Sequence, residues 1–339
     1  MTVLNIAMIG SDELAKAIAK ATDQRDVHTY VNKESGADGA RILSIIRAAK
    51  MPEKIRPFFN SLCAARAGLI EINAIDAAFG EALVGFASAG IEKGIFVINP
   101  SEGDWVDESK VREFLNQAGL SKWMQCEFDG VSLRSAFYEL MEEISSELES
   151  SKEDPLVVTI DQHFNVKGIG LVAIGYVQSG SVSVHDEICI MPSNQSGTVK
   201  SLQVMDDDVT CAVAGDRVGI ALRNTKEEYL SGSSMIVHPA VEDKNKGISN
   251  PICVDIHTKS SVSLTKSPFQ KKDIAVGDIV HASVDLQFVV GRVESIDSQL
   301  VINWESPLLI RKSKPPAVLL AQLDSKPRII GHAILNRLE

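Results

Sequence analysis

A chain of 339 residues exceeds one ordinary hydrophobic core and fits two or three domains of common size. Hydrophobic residues form 45% of it and charged residues 23%, yet no apolar run nears the ~20 residues that span a bilayer, which excludes a helical membrane anchor. The formal charge of −11 does not exclude nucleic acid, because such binding depends on a local positive face rather than on the sum over the chain.

The opening MTVLNIAMIG runs directly into a strand-like pattern with no basic region or small-residue cleavage site, so the expected location is the cytoplasm. Cys63, Cys126, Cys189, Cys211 and Cys253 are scattered, odd in number and without a CxxC pair. They point to reduced side chains rather than a disulfide framework or a structural zinc site, and no metal ligands are assigned.

Residues 1–150 alternate apolar runs with amphipathic stretches, the pattern of a parallel sheet with crossover helices. The strand candidates are VLNIAMI, VHTYV, RILSII, GLIEIN, GIFVIN and KWMQCEF. Helices are expected near 12–22, 55–66, 77–90, 107–118 and 131–150, the last with Leu133, Phe137, Leu140, Met141 and Ile144 on one face. The charged stretch ELESSKEDP reads as a linker. Beyond it come short Val/Ile-rich runs broken by Gly, Asn, Asp and Ser, the texture of antiparallel barrels. A second break at 238–251 halves this region. The expected architecture is an α/β P-loop-like domain at 1–150, a β-barrel at 155–240 and another at 249–339.

Gly10-Ser11-Asp12-Glu13-Leu14-Ala15-Lys16-Ala17 follows the first strand with the register of a phosphate loop, GxxxxGK[ST]. Such a loop turns backbone N–H groups toward a phosphate while its lysine meets the outer phosphates. Gly10 and Lys16 are in register, but Ala15 replaces a glycine and Ala17 replaces the hydroxyl that binds Mg²⁺. An ordinary strand-to-helix turn accounts for the same glycine and lysine, and both readings stay open.

The run Ile160-Asp161-Gln162-His163-Phe164-Asn165-Val166-Lys167-Gly168-Ile169-Gly170 resembles the opening of domain 2 in the translation elongation factor GTPases. The resemblance continues through SGSVSVHDEICIMP, GTVKSLQVM and AVAGDRVGIAL, and PRIIGHAIL is similar to the strand that closes domain 3. Among elongation factor Tu, the selenocysteine-specific factor and the γ subunit of archaeal initiation factor 2, the selenocysteine factor is the nearest in pattern. That factor continues into a winged-helix domain that grips an mRNA hairpin, whereas this sequence stops at Glu339, so hairpin-directed recoding is not expected. No cysteine-rich knuckle like that of the initiation factor is present.

The resemblance implies the rest of the candidate site. GIFVINPSEGD stands where the family carries its guanine-reading NKxD loop, with Asn99 at the first position and Glu102 at the last. Turn formation by Asn99-Pro100 explains those residues equally well. Cys126 and Glu127 begin the segment in place of the SAxxG turn. The DxxGH motif falls on Ala49-Lys50-Met51-Pro52-Glu53, where none of its residues survives. The resemblance thus implies GTP or GDP bound weakly, Mg²⁺ as a candidate ion, little or no hydrolysis, and no catalytic residue. On the barrel side, Phe164 and Gln203 would contact the terminal adenosine of an aminoacyl-tRNA, and Asp161 and Gln162 would lie beside the ester. Arg217 suits a small anionic or polar amino acid such as cysteine or selenocysteine, or else pairs with an acidic neighbour on the barrel surface.

The expected partners are an aminoacyl-tRNA and, as a candidate, the ribosome, with no membrane and no DNA, for a monomer. Three functions remain open: a GTP-linked carrier of aminoacyl-tRNA, a tRNA-binding or scaffold module with no nucleotide switch, and an active GTPase with rearranged groups. No Ser/His/Asp, Cys/His or metal constellation suggests an unrelated enzyme.

Overall fold

The computed structural model describes residues 2–24, 27–36, 39–243 and 248–338, so the outermost residues 1 and 339 and part of the break at 238–251 lie outside it. The first unit runs β1 (Thr2–Ile9), α1 (Asp12–Ile18), β2 (Lys20–Gln24), β3 (His28–Gly36), β4 (Gly39–Arg47), α2 (Arg56–Ala64), β5 (Ala67–Ile72), α3 (Ala77–Ser88), β6 (Gly94–Ile98), α4 (Glu108–Ala118), β7 (Met124–Gln125) and α5 (Gly130–Lys152). Its strands form one seven-stranded sheet in the order β2-β3-β4-β1-β5-β6-β7, with β1 parallel to both β4 and β5. Asp76, Asp107 and Asp129 start α3, α4 and α5 by accepting hydrogen bonds from backbone N–H groups of the first turn. The apolar strands are buried on both faces, as a parallel sheet covered by helices requires.

Two expectations are corrected. The sheet is mixed, because β3 lies antiparallel to β4 and β2 antiparallel to β3. The first helix stops at Ile18 rather than at 22, because Ala19 turns extended and Lys20–Gln24 pairs with β3. Thr22 completes that pairing through its hydroxyl, which meets the backbone and side chain of Thr29.

Two closed six-stranded antiparallel barrels follow. The first begins with β8 (Val157–Val166) and β9 (Gly170–Ser179) and continues through the strands Glu187–Met191, Gln195–Val204, Arg217–Arg223 and Met235–Val237. Pairing of Glu187–Met191 with both Gln195–Val204 and Met235–Val237 closes its ring. Its interior holds Val158, Ile160, Ala173, Ile188, Val199, Leu202, Val218 and Ile220. The second barrel closes where Val254–Lys266 pairs with the last strand, Ile329–Arg337. Gly331 allows that closure: its φ is 152°, and a Cβ there would lie 2.1 Å from the carbonyl oxygen of Thr265.

The three units share cores. Leu319, Ala321 and Ile329 of the second barrel join Phe58, Phe59, Ala82 and Phe86 of α2 and α3 in one apolar cluster. Val3 and Ile42 of the α/β sheet belong to the cluster of the first barrel. Buried Asn5 donates from Nδ2 to the Gly215 carbonyl at 2.8 Å across that seam. On the other seam the Arg328 backbone N–H and Nε each reach Glu81 Oε1 at 3.0 Å, and its guanidinium also donates to the Pro52 carbonyl. The Glu81 carboxylate holds the Arg328 guanidinium above its usual pKa. Among the described residues no helix is long and apolar enough to cross a membrane.

Candidate functional site

The turn between β1 and α1 is not a wide phosphate loop. Ser11 is the N-cap, with φ −73° and ψ 157°, and its side chain accepts from the Leu14 N–H at 3.0 Å. Helix therefore begins at Asp12, and the residues that would have to wrap a phosphate are its first turn. Leu14 and Ala15 are buried in the core, which explains a methyl group where the motif wants glycine. Glu13 is exposed. Lys16 is paired with Asp12 at 2.6 Å. Asp12 also accepts from the Tyr30 hydroxyl, and Lys16 and then Tyr30 hold its carboxyl below the usual range. Burial, followed by the bond to Asp12, pushes Tyr30 up to about 12. Arg47 pins the turn from below, donating from Nε to the Gly10 carbonyl at 2.7 Å.

The decisive group at this turn is one that motif reading passed over. Glu71 on β5, only 6% exposed, accepts from the Ser11 N–H through Oε2 at 2.5 Å and from Asn99 Nδ2 through Oε1 at 2.7 Å. A Cβ on Gly10 would lie 2.8 Å from the Glu71 Cβ and 3.0 Å from its Oε2, so Gly10 is required by the approach of this side chain. The sequence signal was available: a carboxylate inside GLIEIN, an otherwise apolar run of a fully buried strand.

The remaining nucleotide-side candidates fall on turns beside it. Asn99 spends its side-chain donor on Glu71, and its carbonyl accepts from Asn73. Glu102 is exposed on a turn closed by the Asp104 N–H bonding to the Ser101 carbonyl. Cys126 bonds through its N–H to the Phe96 carbonyl, burial raises its thiol pKa, and Glu127 is exposed. The glycine ending that segment, Gly130, lets α5 press on the end of α1: a Cβ there would lie 2.0 Å from the Ala17 oxygen. Arg134 donates to the Ala17 and Ile18 carbonyls.

GTP and Mg²⁺, which the fold family implies, do not fit these residues. A phosphate needs N–H groups and a lysine, but the Ser11 N–H is taken by an internal carboxylate, and Lys16 shares an exposed pair with Asp12, whose charge opposes a phosphate. Ala17 offers no side-chain oxygen for Mg²⁺, and its carbonyl is taken by Arg134.

The barrel-side candidates share one surface. Gln162 on β8 pairs with Ile174 on β9, Ile174 with Gly219, and Gly219 with Gln203. Residues paired across antiparallel strands point to the same side, so this row runs across the barrel exterior, opposite to Leu202, Val218 and Ile220 inside. By two-residue alternation Phe164 and Arg217 join that face. Asp161 joins it because the register slips between Ile160 and Gln162, a bulge that inserts one extra residue into β8. Phe164 is 39% exposed, and Gln203 is exposed and donates to Asp208 at 2.9 Å.

Asp161, Gln162 and Arg217 then face a cleft of about 750 Å³ where all three units meet. Its α/β wall includes Thr29, Ile46, Glu53, Lys54, Arg56 and Asn60, and its third wall includes Leu286, Phe288, Leu323 and Arg328 of the second barrel. This volume lies in the range of small-molecule sites. Tyr176 forms its floor, buried against Ile46, Ala64 and Leu286, and that burial pushes its hydroxyl up to about 12.

The polar atoms here differ from those around Glu71. Arg217 faces Asp161 at 3.8 Å and lies over the Tyr176 ring at 6.0 Å, while its Nε is buried with no acceptor among the described residues. Gln162 Oε1 and Asn60 Oδ1 are likewise buried without a donor among the described residues. The pairing of Arg217 with an acidic neighbour is thus present, and it leaves donor capacity unused. No sequence signal marked Asn60, Arg56 or Phe288, which reach the cleft only through the packing of three units.

Comparison with known proteins bears on the fold. Residues 170–235 match the family model for elongation factor Tu domain 2. An uncharacterized protein of Methanocaldococcus jannaschii is 25% identical over 302 residues, 89% of each chain. The selenocysteine-specific elongation factor of the same organism is 29% identical over 148 residues, covering 44% of this chain and 31% of that factor. The crystal structure of translation elongation factor SelB from Methanococcus maripaludis, in complex with the GTP analogue GppNHp, superimposes with a TM-score of 0.75. It covers all of this chain and 80% of that one at 19% identity, a likeness of fold. The domain match, the sequence relatives and the shared fold relate this chain to the translation elongation factor GTPase superfamily, close to the selenocysteine-specific factor.

Proposed function

We propose that this translation elongation factor-like chain binds the 3′ end of an aminoacyl-tRNA, with the aminoacyl ester in the three-unit cleft and the terminal base on the outer face of the first barrel. The reading is carried by one observation: Arg217, Gln162 and Asn60 line the cleft, and Arg217 Nε, Gln162 Oε1 and Asn60 Oδ1 are buried with no hydrogen-bond partner among the described residues. Buried polar groups are ordinarily satisfied, so a donor and two acceptors on the wall of a cavity suit a ligand that supplies the missing bonds.

An aminoacyl ester supplies them. Its carbonyl, or an anionic side chain, accepts from Arg217, and its α-ammonium or ribose hydroxyls donate to Gln162 and Asn60. Glu53 and Asp161 complement the ammonium, and Lys54 and Arg56 at the cleft suit a phosphate of the tRNA end. The exposed ring of Phe164 offers a stacking surface for the terminal adenine, with the Gln203 amide on the same face to bond its edge. A cleft of about 750 Å³ has room for an aminoacyl ribose, and Arg217 favours a polar or anionic amino acid, with cysteine or selenocysteine as the natural small candidates.

The protein would then protect or deliver that ester, with the ribosome as a candidate recipient. Its test is the rate at which aminoacyl-tRNAs carrying cysteine, selenocysteine, serine and phenylalanine lose their amino acid with and without the protein. Slower hydrolysis for the small polar or anionic residues is expected. Equal protection of phenylalanine removes the size and charge part of the proposal, and no protection of any of them removes the whole.

A further inference from the structure

We infer that Glu71 is a built-in anion: its carboxylate makes the hydrogen bond to the Ser11 N–H that a nucleotide phosphate would need, and it ties the β1–α1 turn to the Asn99 turn permanently. Three features meet at one point. The Ser11 N–H reaches Glu71 Oε2 at 2.5 Å, Asn99 Nδ2 reaches Oε1 at 2.7 Å, and Gly10 has no Cβ because the Glu71 side chain occupies that space. A phosphate oxygen at this turn would replace or crowd a carboxylate oxygen that is already within hydrogen-bond reach, and a second anion there is repelled. Asp12 and Glu13 on the first turn of α1 add to that repulsion, and the only lysine of the helix is paired with Asp12.

The consequence reaches beyond the turn. In a nucleotide switch, the phosphate orders loops at this end of the sheet and so biases the arrangement of the domains. Here an internal side chain orders them at all times, and the units are joined by shared apolar cores and by the part-buried Glu81–Arg328 pair. The cleft is therefore formed without nucleotide. This inference does not depend on what occupies the cleft: failure of ester protection would leave Glu71 where it is.

Two experiments on the full chain test it. In titration calorimetry with GTP, GDP and inorganic pyrophosphate in the presence of Mg²⁺, no saturable heat is expected up to millimolar ligand, and a saturating isotherm for any of them overturns the inference. In thermal unfolding, Glu71→Ala is expected to melt several degrees below the parent protein, with added formate raising the melting point of the variant more than that of the parent. An unchanged melting point, or no response to formate in the folded variant, overturns it. Should Glu71→Ala fail to fold, Glu71→Gln preserves the size but cannot accept from both partners. Faster hydrogen exchange at the Ser11 amide of that variant supports the inference, and unchanged exchange overturns it.

Discussion

The turn at Gly10 and the cleft beside Arg217 lie in one molecule and were both expected to hold ligands, yet their polar groups are treated in opposite ways. Around Gly10 the side chains satisfy one another: Glu71 takes the Ser11 and Asn99 donors, Asp12 takes Lys16 and Tyr30, and Arg47 holds the Gly10 carbonyl. Around Arg217 the lining residues keep a buried donor and buried acceptors that have no partner among the described residues. An unpaired buried polar atom costs roughly 1–3 kcal/mol. The two places therefore differ in how their polar side chains are partnered, and the proposed ligand site is the one whose residues keep unpartnered buried atoms.

The largest test of this contrast breaks the wall that the cleft borrows from the second barrel. Glu81→Ala leaves the part-buried Arg328 without its carboxylate and is expected to lower stability by about 2 kcal/mol in urea unfolding. A loss below about 1 kcal/mol would show that the shared apolar core alone holds the units together.

Arg217→Ala acts on the cleft and not on the fold. Aminoacyl-tRNA affinity is expected to fall by about 2 kcal/mol, a factor of roughly 30, with the melting temperature nearly unchanged. Equal binding by variant and parent would move the ligand away from Arg217.

Gly10→Ala probes the other side. The added methyl meets Glu71 at 2.8 Å, and a loss of about 1–3 kcal/mol in stability is expected from overpacking. A neutral result would show that Glu71 can leave the turn freely.

The smallest effect is one of pH. Burial lowers the pKa of His257 and of His281, the latter stacked on Phe288 in the cleft wall at 5.1 Å between ring centroids. A histidine depressed in the folded state is held neutral there, so its contribution is fully present above the unfolded value near 6.5 and is lost as pH falls through that value toward the folded one. Urea unfolding at pH 7.5 and 5.5 should show lower stability at the acid end, and replacement of both histidines by glutamine should flatten the difference.

Local pattern carried a large part of the architecture. The 3.6-residue period of α5 placed that helix within two residues at each end, because burial on one face imposes its period on the sequence, whereas the Val/Ile-rich texture beyond Pro155 gave barrels without strand bounds. Lys20–Gln24 escaped because a short polar strand has little signal of its own and forms only against β3. Gly10 and Lys16 had the spacing of a phosphate loop, but spacing does not say whether a helix begins at Asp12 or later. That was decided by Ser11 as a cap and by the burial of Leu14 and Ala15.

The sequence by itself determined an α/β unit followed by two barrels, and the order of motifs along the first barrel, since periodicity and turn residues are local properties. Only the tertiary structure decided what those motifs face. Glu71 and Asn99 meet Ser11 because three parallel strands end at the same edge of the sheet. Asn60, Arg217 and Phe288, far apart in the chain, share one cavity because apolar surfaces on three units could be buried only against each other.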